Sequence, residues 1–270
     1  MIATWTRGLS DHNMSEDLLV PLRHQILGHP WWRARSRLTL ALLRRYGVRP
    51  PARVVDVGCG WGTTLAALER EGYTVAGLDV SRTALQLLDR EDPRRQLIEA
   101  DLEQPFTADG VYDAALALDV IEHLDDDRGA LSRIAGLVRP GGLLVVSVPA
   151  RPDLFSEFDV VQGHRRRYLS GPLRSAFEGT GLQVERTFYW GGWMVPVLKS
   201  KRTAKRPPSG ESAGEVYARH LALPGAPLRQ VLGGLFALDH RVSLAGWNPT
   251  GTSVFAIARR TAVAAERFSR

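Results

Sequence analysis

The residues best suited to chemistry sit where short apolar runs end. Asp56-Val57-Gly58-Cys59-Gly60-Trp61-Gly62 follows Val54-Val55 and precedes a helical stretch. A chain that turns sharply from strand to helix needs residues that tolerate positive φ, and glycine lets a ligand lie against the backbone. The loop therefore sets a ligand at the carboxyl end of a strand, beside a helix N-terminus. The dinucleotide fingerprint G-x-G-x-x-G does not fit, because Thr63 stands where its last glycine belongs and Asp56 is no part of it. Further carboxylates close later runs: Asp79 in Gly77-Leu78-Asp79-Val80, Asp101 in Ala100-Asp101-Leu102, and Asp119 in Asp119-Val120-Ile121-Glu122-His123-Leu124. A carboxylate so placed can accept two hydrogen bonds from a diol. Two histidines are candidate proton acceptors: His123, and His164 in Gly163-His164-Arg165-Arg166-Arg167-Tyr168. Each also has a structural reading, His123 as a loop anchor and His164 as a loop residue bonded to backbone.

Other clusters have two readings each. Asp125, Asp126 and Asp127 form a carboxylate run that a metal would suit, but they stand just before a helix, where Asp stabilises the N-terminus. The capping reading is preferred, and no metal is expected. Arg165, Arg166 and Arg167 would hold an anionic acceptor, or form a salt-bridged face. Arg166, Tyr168 and Trp193 are taken as acceptor contacts. Trp190, Trp193 and one face of Leu228–Val242 read as a lid, a dimer contact or an interfacial membrane patch, with lid or core packing preferred. Small size is reason enough for Cys59 between two glycines.

The elements that must position these residues alternate regularly. Strand-like runs at Val54–Val57, Tyr73–Leu78, Gln96–Glu99, Tyr112–Leu118 and Leu143–Val148 are separated by helical stretches at Thr63–Arg70, Arg82–Asp89 and Arg128–Val138. Near-continuous apolar strands imply a parallel sheet covered on both faces, and right-handed crossovers make it doubly wound. Ser170–Gly179 reads as a helix, Leu182–Tyr189 and Thr252–Ala258 as strands. His29–Arg45 reads as an amphipathic helix capping the sheet. Lys199–Gly210 is basic and proline-containing and reads as a flexible loop.

The pattern D-x-G-x-G-x-G at 56–62 resembles the class I S-adenosylmethionine-dependent methyltransferases. Asp79, Asp101, Asp119-Val120-Ile121-Glu122-His123-Leu124 and Val138-Arg139-Pro140-Gly141-Gly142 follow in the order that family shows. The resemblance implies a Rossmann-like, seven-stranded α/β sheet whose last strand, Thr252–Ala258, inserts antiparallel beside the sixth. It divides the chain into an N-terminal helical cap (1–50), a cofactor-binding core (51–190), an insertion or lid with the flexible loop (191–250), and the last strand with a C-terminal tail (251–270). S-adenosylmethionine is the implied cofactor. Asp56, Gly58, Cys59, Gly60 and Gly62 would cradle it. Asp79 and Val80 would meet its ribose, Asp101 and Leu102 its adenine, and Asp119 and Val120 its methionine part. Trp31-Trp32 with Arg35, Gly163–Tyr168 and Gly251-Thr252-Ser253 resemble a bacterial subgroup similar to the ubiquinone-biosynthesis O-methyltransferases. The implied activity is methyl transfer to a small-molecule acceptor, at oxygen before nitrogen or carbon. The alternatives are a cofactor-binding but non-catalytic scaffold and an RNA methyltransferase.

Composition narrows these classes. The chain has 270 residues and a net charge of +6. Residues 1–50 carry +5, 51–150 carry −8 and 151–270 carry +9. An acidic middle between basic ends argues against a nucleic-acid partner, and an acidic cofactor half suits a cationic sulfonium. The basic flanks favour an anionic or amphipathic acceptor. A single cysteine excludes an intramolecular disulfide framework. Met1–Leu19 lacks an apolar h-region and no apolar run reaches about 18 residues, so a cytoplasmic protein is expected, with peripheral membrane contact left open.

Overall fold

The computed structural model describes residues 1–6, 18–107, 110–200, 210–222 and 225–261. In chain order the elements are β1 (Ile2–Thr4), α1 (Leu19–Gly28), α2 (Pro30–Arg45), β2 (Arg53–Val57), α3 (Thr63–Arg70), β3 (Thr74–Asp79), α4 (Arg82–Glu91), β4 (Gln96–Glu99), β5 (Tyr112–Leu118), α5 (Asp127–Leu137) and β6 (Val138–Pro149). They continue with α6 (Glu157–Val161), α7 (Ser170–Ala176), β7 (Leu182–Trp190), α8 (Met194–Ser200), α9 (Ala213–His220), α10 (Ala226–Ala245) and β8 (Ser253–Arg260). The strand order is β1-β4-β3-β2-β5-β6-β8-β7. β1 to β6 pair parallel, while β8 runs antiparallel between β6 and β7. This is the doubly wound α/β class.

The period-2 alternation of each strand divides the core. Val55, Val57, Ala115 and Ala117 face α5 and α7 on one side, and Val54, Ala114 and Leu116 face α2, α3 and α10 on the other. Because helices cover both faces, Val54, Val55 and Val57 of β2 and Ala114 to Leu118 of β5 are all buried. Helices α2, α4 and α5 each start where a side chain supplies an acceptor for a free backbone N–H group. His29 Nδ1 accepts from Trp31 N–H ahead of Pro30 in α2, Ser81 Oγ accepts from Ala84 N–H in α4, and Asp126 accepts from Gly129 N–H in α5.

Three features depart from the sequence expectations. The sheet has eight strands rather than seven, because Ile2–Thr4 adds an edge beside β4. Three residues are too short for a periodic signal, and the strand is fixed by pairing, including Trp5 N–H donating to Glu99 C=O. Val138, expected as the last residue of a helix, and the Arg139–Gly142 stretch after it form the irregular start of β6, with a register shift against β5 between Tyr112 and Ala114. The long insertion is helical on both sides of the expected flexible loop. Lys199 and Ser200 close α8, while 201–209 lie outside the described residues, as does the tail at 262–270.

Candidate active site

A cavity of about 390 Å³ opens at the carboxyl edge of the parallel strands. This is where an open α/β sheet binds ligands, because the βα loops diverge there. One end lies over β2, β3 and β4, and is lined by Gly58, Cys59, Gly60, Asp79, Val80, Asp101 and Leu102. The other lies over β5 and β6, with Asp119, Val120, His123 and His164.

The glycine loop is held by the sheet beneath it. Gly58 and Cys59 N–H both donate to Leu78 C=O, at 2.7 and 3.1 Å. Gly58, Gly60 and Gly62 have φ of +69°, +46° and +73°. At Gly58 an added Cβ would stand 2.5 Å from Val120 Cγ2, and at Gly62 2.5 Å from Leu88 Cδ2, whereas at Gly60 it would meet nothing within 4 Å. Gly58 and Gly62 are therefore small so that the loop can pack, and Gly60 faces open space in the cavity. A close-lying ligand needs such a position. Gly60 N–H donates to Asp79 Oδ2 at 2.8 Å and Ser81 N–H to Oδ1 at 2.9 Å. A carboxylate fixed at the end of β3 suits a diol. Asp101 is buried, and its Oδ1 accepts from Glu103 N–H at 2.8 Å.

Asp56 and Gly62 are not part of the cavity wall. Asp56 lies beneath the loop, where burial pushes its carboxyl up to about 7; the Arg35 charge opposes this and the Asp79 charge adds to it. Asp119 has φ of +59°, rare for a residue with a side chain. Its carboxylate is fixed by a partly buried ion pair with Arg35 and by Ser147 Oγ–H at 3.2 Å. Arg35 in turn lies 4.8 Å over the Trp31 ring.

The two histidines meet edge to face, with ring centroids 4.8 Å apart. Burial, aided by His164 and Arg165, pushes the His123 imidazole down to about 3, so it is a weak base. His164 differs. Its Nδ1 sits 2.9 Å from Asp159 Oδ1, and its Nε2 lies 3.9 Å from Glu122 Oε1. Asp159 also accepts from Arg167 Nε at 2.7 Å and Arg167 NH2 at 2.9 Å, and from Ser156 N–H at 2.8 Å. Burial opposes its charge, yet the bonds from His164 and Arg167 hold its carboxyl below the usual range. A carboxylate on Nδ1 favours the tautomer in which Nε2 is the acceptor nitrogen. Glu122 is fully buried with neither oxygen hydrogen-bonded, and burial, reinforced by Asp119, pushes its carboxyl well above the ordinary range. The ligand atoms of Glu122, His123 and His164 lie within 4.8 Å of one another, a spacing a divalent ion would bridge. The aspartates at 125–127 are engaged elsewhere: Asp125 pairs with Arg165, Asp126 caps α5, and Asp127 accepts from Tyr168 O–H at 2.7 Å.

The expected acceptor contacts are not brought to the cavity. Arg166 turns to the carbonyls of Leu124 and Asp125, Tyr168 is buried against α5, and Trp193 packs on Phe236 with centroids 5.3 Å apart. Their neighbours Arg167 and Met194 line it instead. Trp31, Trp32, Phe158 and Tyr217 complete an aromatic wall. Sequence reasoning missed Asp159, Glu122 and this wall. The only local signal was an acid five residues before His164, and nothing in one sequence marks which acid a histidine will meet.

The architecture is that of the class I S-adenosylmethionine-dependent methyltransferases, and the chain shares more than the fold. Residues 31–187 match the family described as a methyltransferase domain, and the chain belongs to that family. It is 32% identical over 162 residues to an O-methyltransferase of Pyrenophora dematioidea, covering 57% of this chain and 61% of that one. It is 35% identical over 105 residues to the ubiquinone biosynthesis O-methyltransferase of Alkalilimnicola ehrlichii, covering 35% and 40%. The chain thus matches 40% to 61% of the length of these two relatives. Among solved structures, the cyclase SpnF superposes with a TM-score of 0.62 at 17% identity, covering 96% of this chain and 99% of that one. At that identity the likeness concerns the fold alone.

Proposed function

We propose that this chain transfers a methyl group from S-adenosylmethionine to a hydroxyl oxygen of a small, aromatic or amphipathic acceptor. The observation that carries the reading is the Asp159–His164 pair, whose His164 lines the same cavity as the glycine loop, Asp79 and Asp101. The donor set fits the cofactor: Gly60 leaves room at the backbone, Asp79 suits the ribose diol and Asp101 the adenine amino group. Bound there, the cofactor supplies an electrophilic methyl group on a sulfonium.

The protein's part is positioning and proton transfer. The wall of Trp31, Trp32, Phe158 and Tyr217 would exclude water and hold the acceptor beside the cofactor end of the cavity. When an acceptor hydroxyl is methylated and the sulfonium leaves as a neutral thioether, His164 Nε2 would take the hydroxyl proton and Asp159 would stabilise the resulting imidazolium. His123, a weak base, shapes the pocket. The names of the two O-methyltransferase relatives support oxygen as the acceptor atom. No helix among the described residues is long and apolar enough to cross a membrane.

A labelled-methyl screen against fractionated metabolites, with the wild type and His164→Ala, tests the reading. Transfer to a hydroxyl compound, lowered about 100-fold or more in the variant at unchanged cofactor affinity, is the expected result. Cofactor binding without transfer to any fraction would make the chain a non-catalytic binding partner, and transfer only to RNA would exclude a small acceptor.

A further inference from the structure

A second cavity, of about 210 Å³, lies between the start of α2 and α10. Arg33 and Arg37 from α2 and Arg229, Phe236 and His240 from α10 line it. The side chains of the three arginines form no hydrogen bond or ion pair among the described residues. Elsewhere Arg35, Arg95, Arg167 and Arg259 each meet a carboxylate. All three are exposed at one cavity, and an anion there would ease their mutual repulsion. The closest acid in sequence, Asp239, is committed elsewhere, accepting from Gly191 N–H at 2.7 Å and from Asn248 Nδ2 at 3.0 Å. His240 adds a buried Nε2 with no partner. At Gly233, also in the wall, an added Cβ would meet nothing within 4 Å, so the space beside the helix is open.

We propose that this cavity is a binding site for a phosphate-type anion, held by Arg33, Arg37 and Arg229 with His240 at its wall. Guanidinium forks match the oxygens of phosphate, and three of them suit a multiply charged group better than a single carboxylate. The site is separate from the methyl-transfer cavity. Trp31, Trp32 and Arg35 of α2 face that cavity, whereas Arg33, Ala34 and Arg37 face this one. Two sources offer the same chemistry: a free phosphate or diphosphate, and the headgroup of an anionic lipid. The lipid source has a reason on the surface, since Leu228, Val231, Leu235 and Leu238 are exposed along α10.

Titration calorimetry of the full chain with inorganic phosphate and with pyrophosphate, at low and fixed ionic strength, tests the site. Saturable one-to-one binding is expected, weakened at least tenfold in Arg33→Ala/Arg37→Ala and lost in Gly233→Leu, which fills the cavity and leaves every charge in place. S-adenosylhomocysteine affinity should be unchanged in all variants, which also shows that they are folded. Absence of saturable binding to the wild type, or unaltered binding in Gly233→Leu, would overturn the proposal. Sedimentation with phosphatidylglycerol vesicles then separates the sources. Arginine-dependent binding that phosphate competes away assigns the site to lipid headgroups, and no vesicle binding assigns it to a free anion.

Discussion

Replacing Gly58 and Gly60 by alanine, one at a time, should separate packing from binding within a single loop. Both residues have positive φ, at +69° and +46°. An L residue there costs about 1–2 kcal/mol. For Gly60→Ala that is nearly the whole effect, because the new methyl group meets no protein atom within 4 Å. For Gly58→Ala the methyl group lands 2.5 Å from Val120 Cγ2. Valine is stiff at χ1, so Val120 or the loop must move, adding about 1–3 kcal/mol. Gly58→Ala should therefore lose about 2–5 kcal/mol in urea unfolding and Gly60→Ala about 1–2 kcal/mol. The order reverses for binding. The Gly60→Ala methyl group occupies space next to Asp79, and should weaken S-adenosylhomocysteine at least tenfold in titration calorimetry. If Gly60→Ala kept wild-type affinity, or if both variants lost equal stability, the division between packing glycine and ligand-facing glycine would be wrong.

Further outcomes follow from the same site. Asp79→Ala should weaken cofactor binding by about 10- to 100-fold, the loss expected when charge-assisted hydrogen bonds of about 1.5–3 kcal/mol disappear, and calorimetry reads it directly. Arg35→Met strips the partner from the largely buried Asp119 and should cost about 2–4 kcal/mol in urea unfolding; a loss under 1 kcal/mol would mean that the ion pair adds little. His123, held neutral at about 3 in the folded chain against about 6.5 when unfolded, favours folding above pH 6.5, and that contribution fades as pH falls from 6.5 towards 3. Urea midpoints measured from pH 7 to 4 should fall less steeply in His123→Asn than in the wild type, and parallel slopes would contradict a buried neutral histidine.

The regional charges take on a more local meaning in three dimensions. The acids of the −8 middle segment include Asp79 and Asp101 at the cofactor end of the cavity. The basic C-terminal segment does not present a bare cationic face to the acceptor. Arg165 is spent on Asp125, Arg166 on backbone carbonyls and Arg167 on Asp159. Arg33, Arg37 and Arg229, whose side chains have no partner among the described residues, border the second cavity. A charge count gives the number of cations but not which of them already have a partner.

Sequence alone determined the features that depend on near neighbours. The turn from β2 into α3 requires residues that accept positive φ, and Gly58, Gly60 and Gly62 supply them within five positions. The apolar runs of β2 to β6 state that both faces of a parallel sheet are covered, and the acids after them mark the edge where a ligand sits. Tertiary structure decided what depends on distant segments meeting. β1 exists because β4 offers an open edge, and it is too short to declare itself. Asp119 is held by Arg35, 84 residues away in sequence. Adjacent residues of one segment diverge, Arg167 reaching into the cavity while Arg166 turns to the loop at Leu124. The physical reason is range: backbone preference is set by the residue and its immediate neighbours, whereas the partner of a buried charge is set by whichever segment the fold brings within hydrogen-bonding distance.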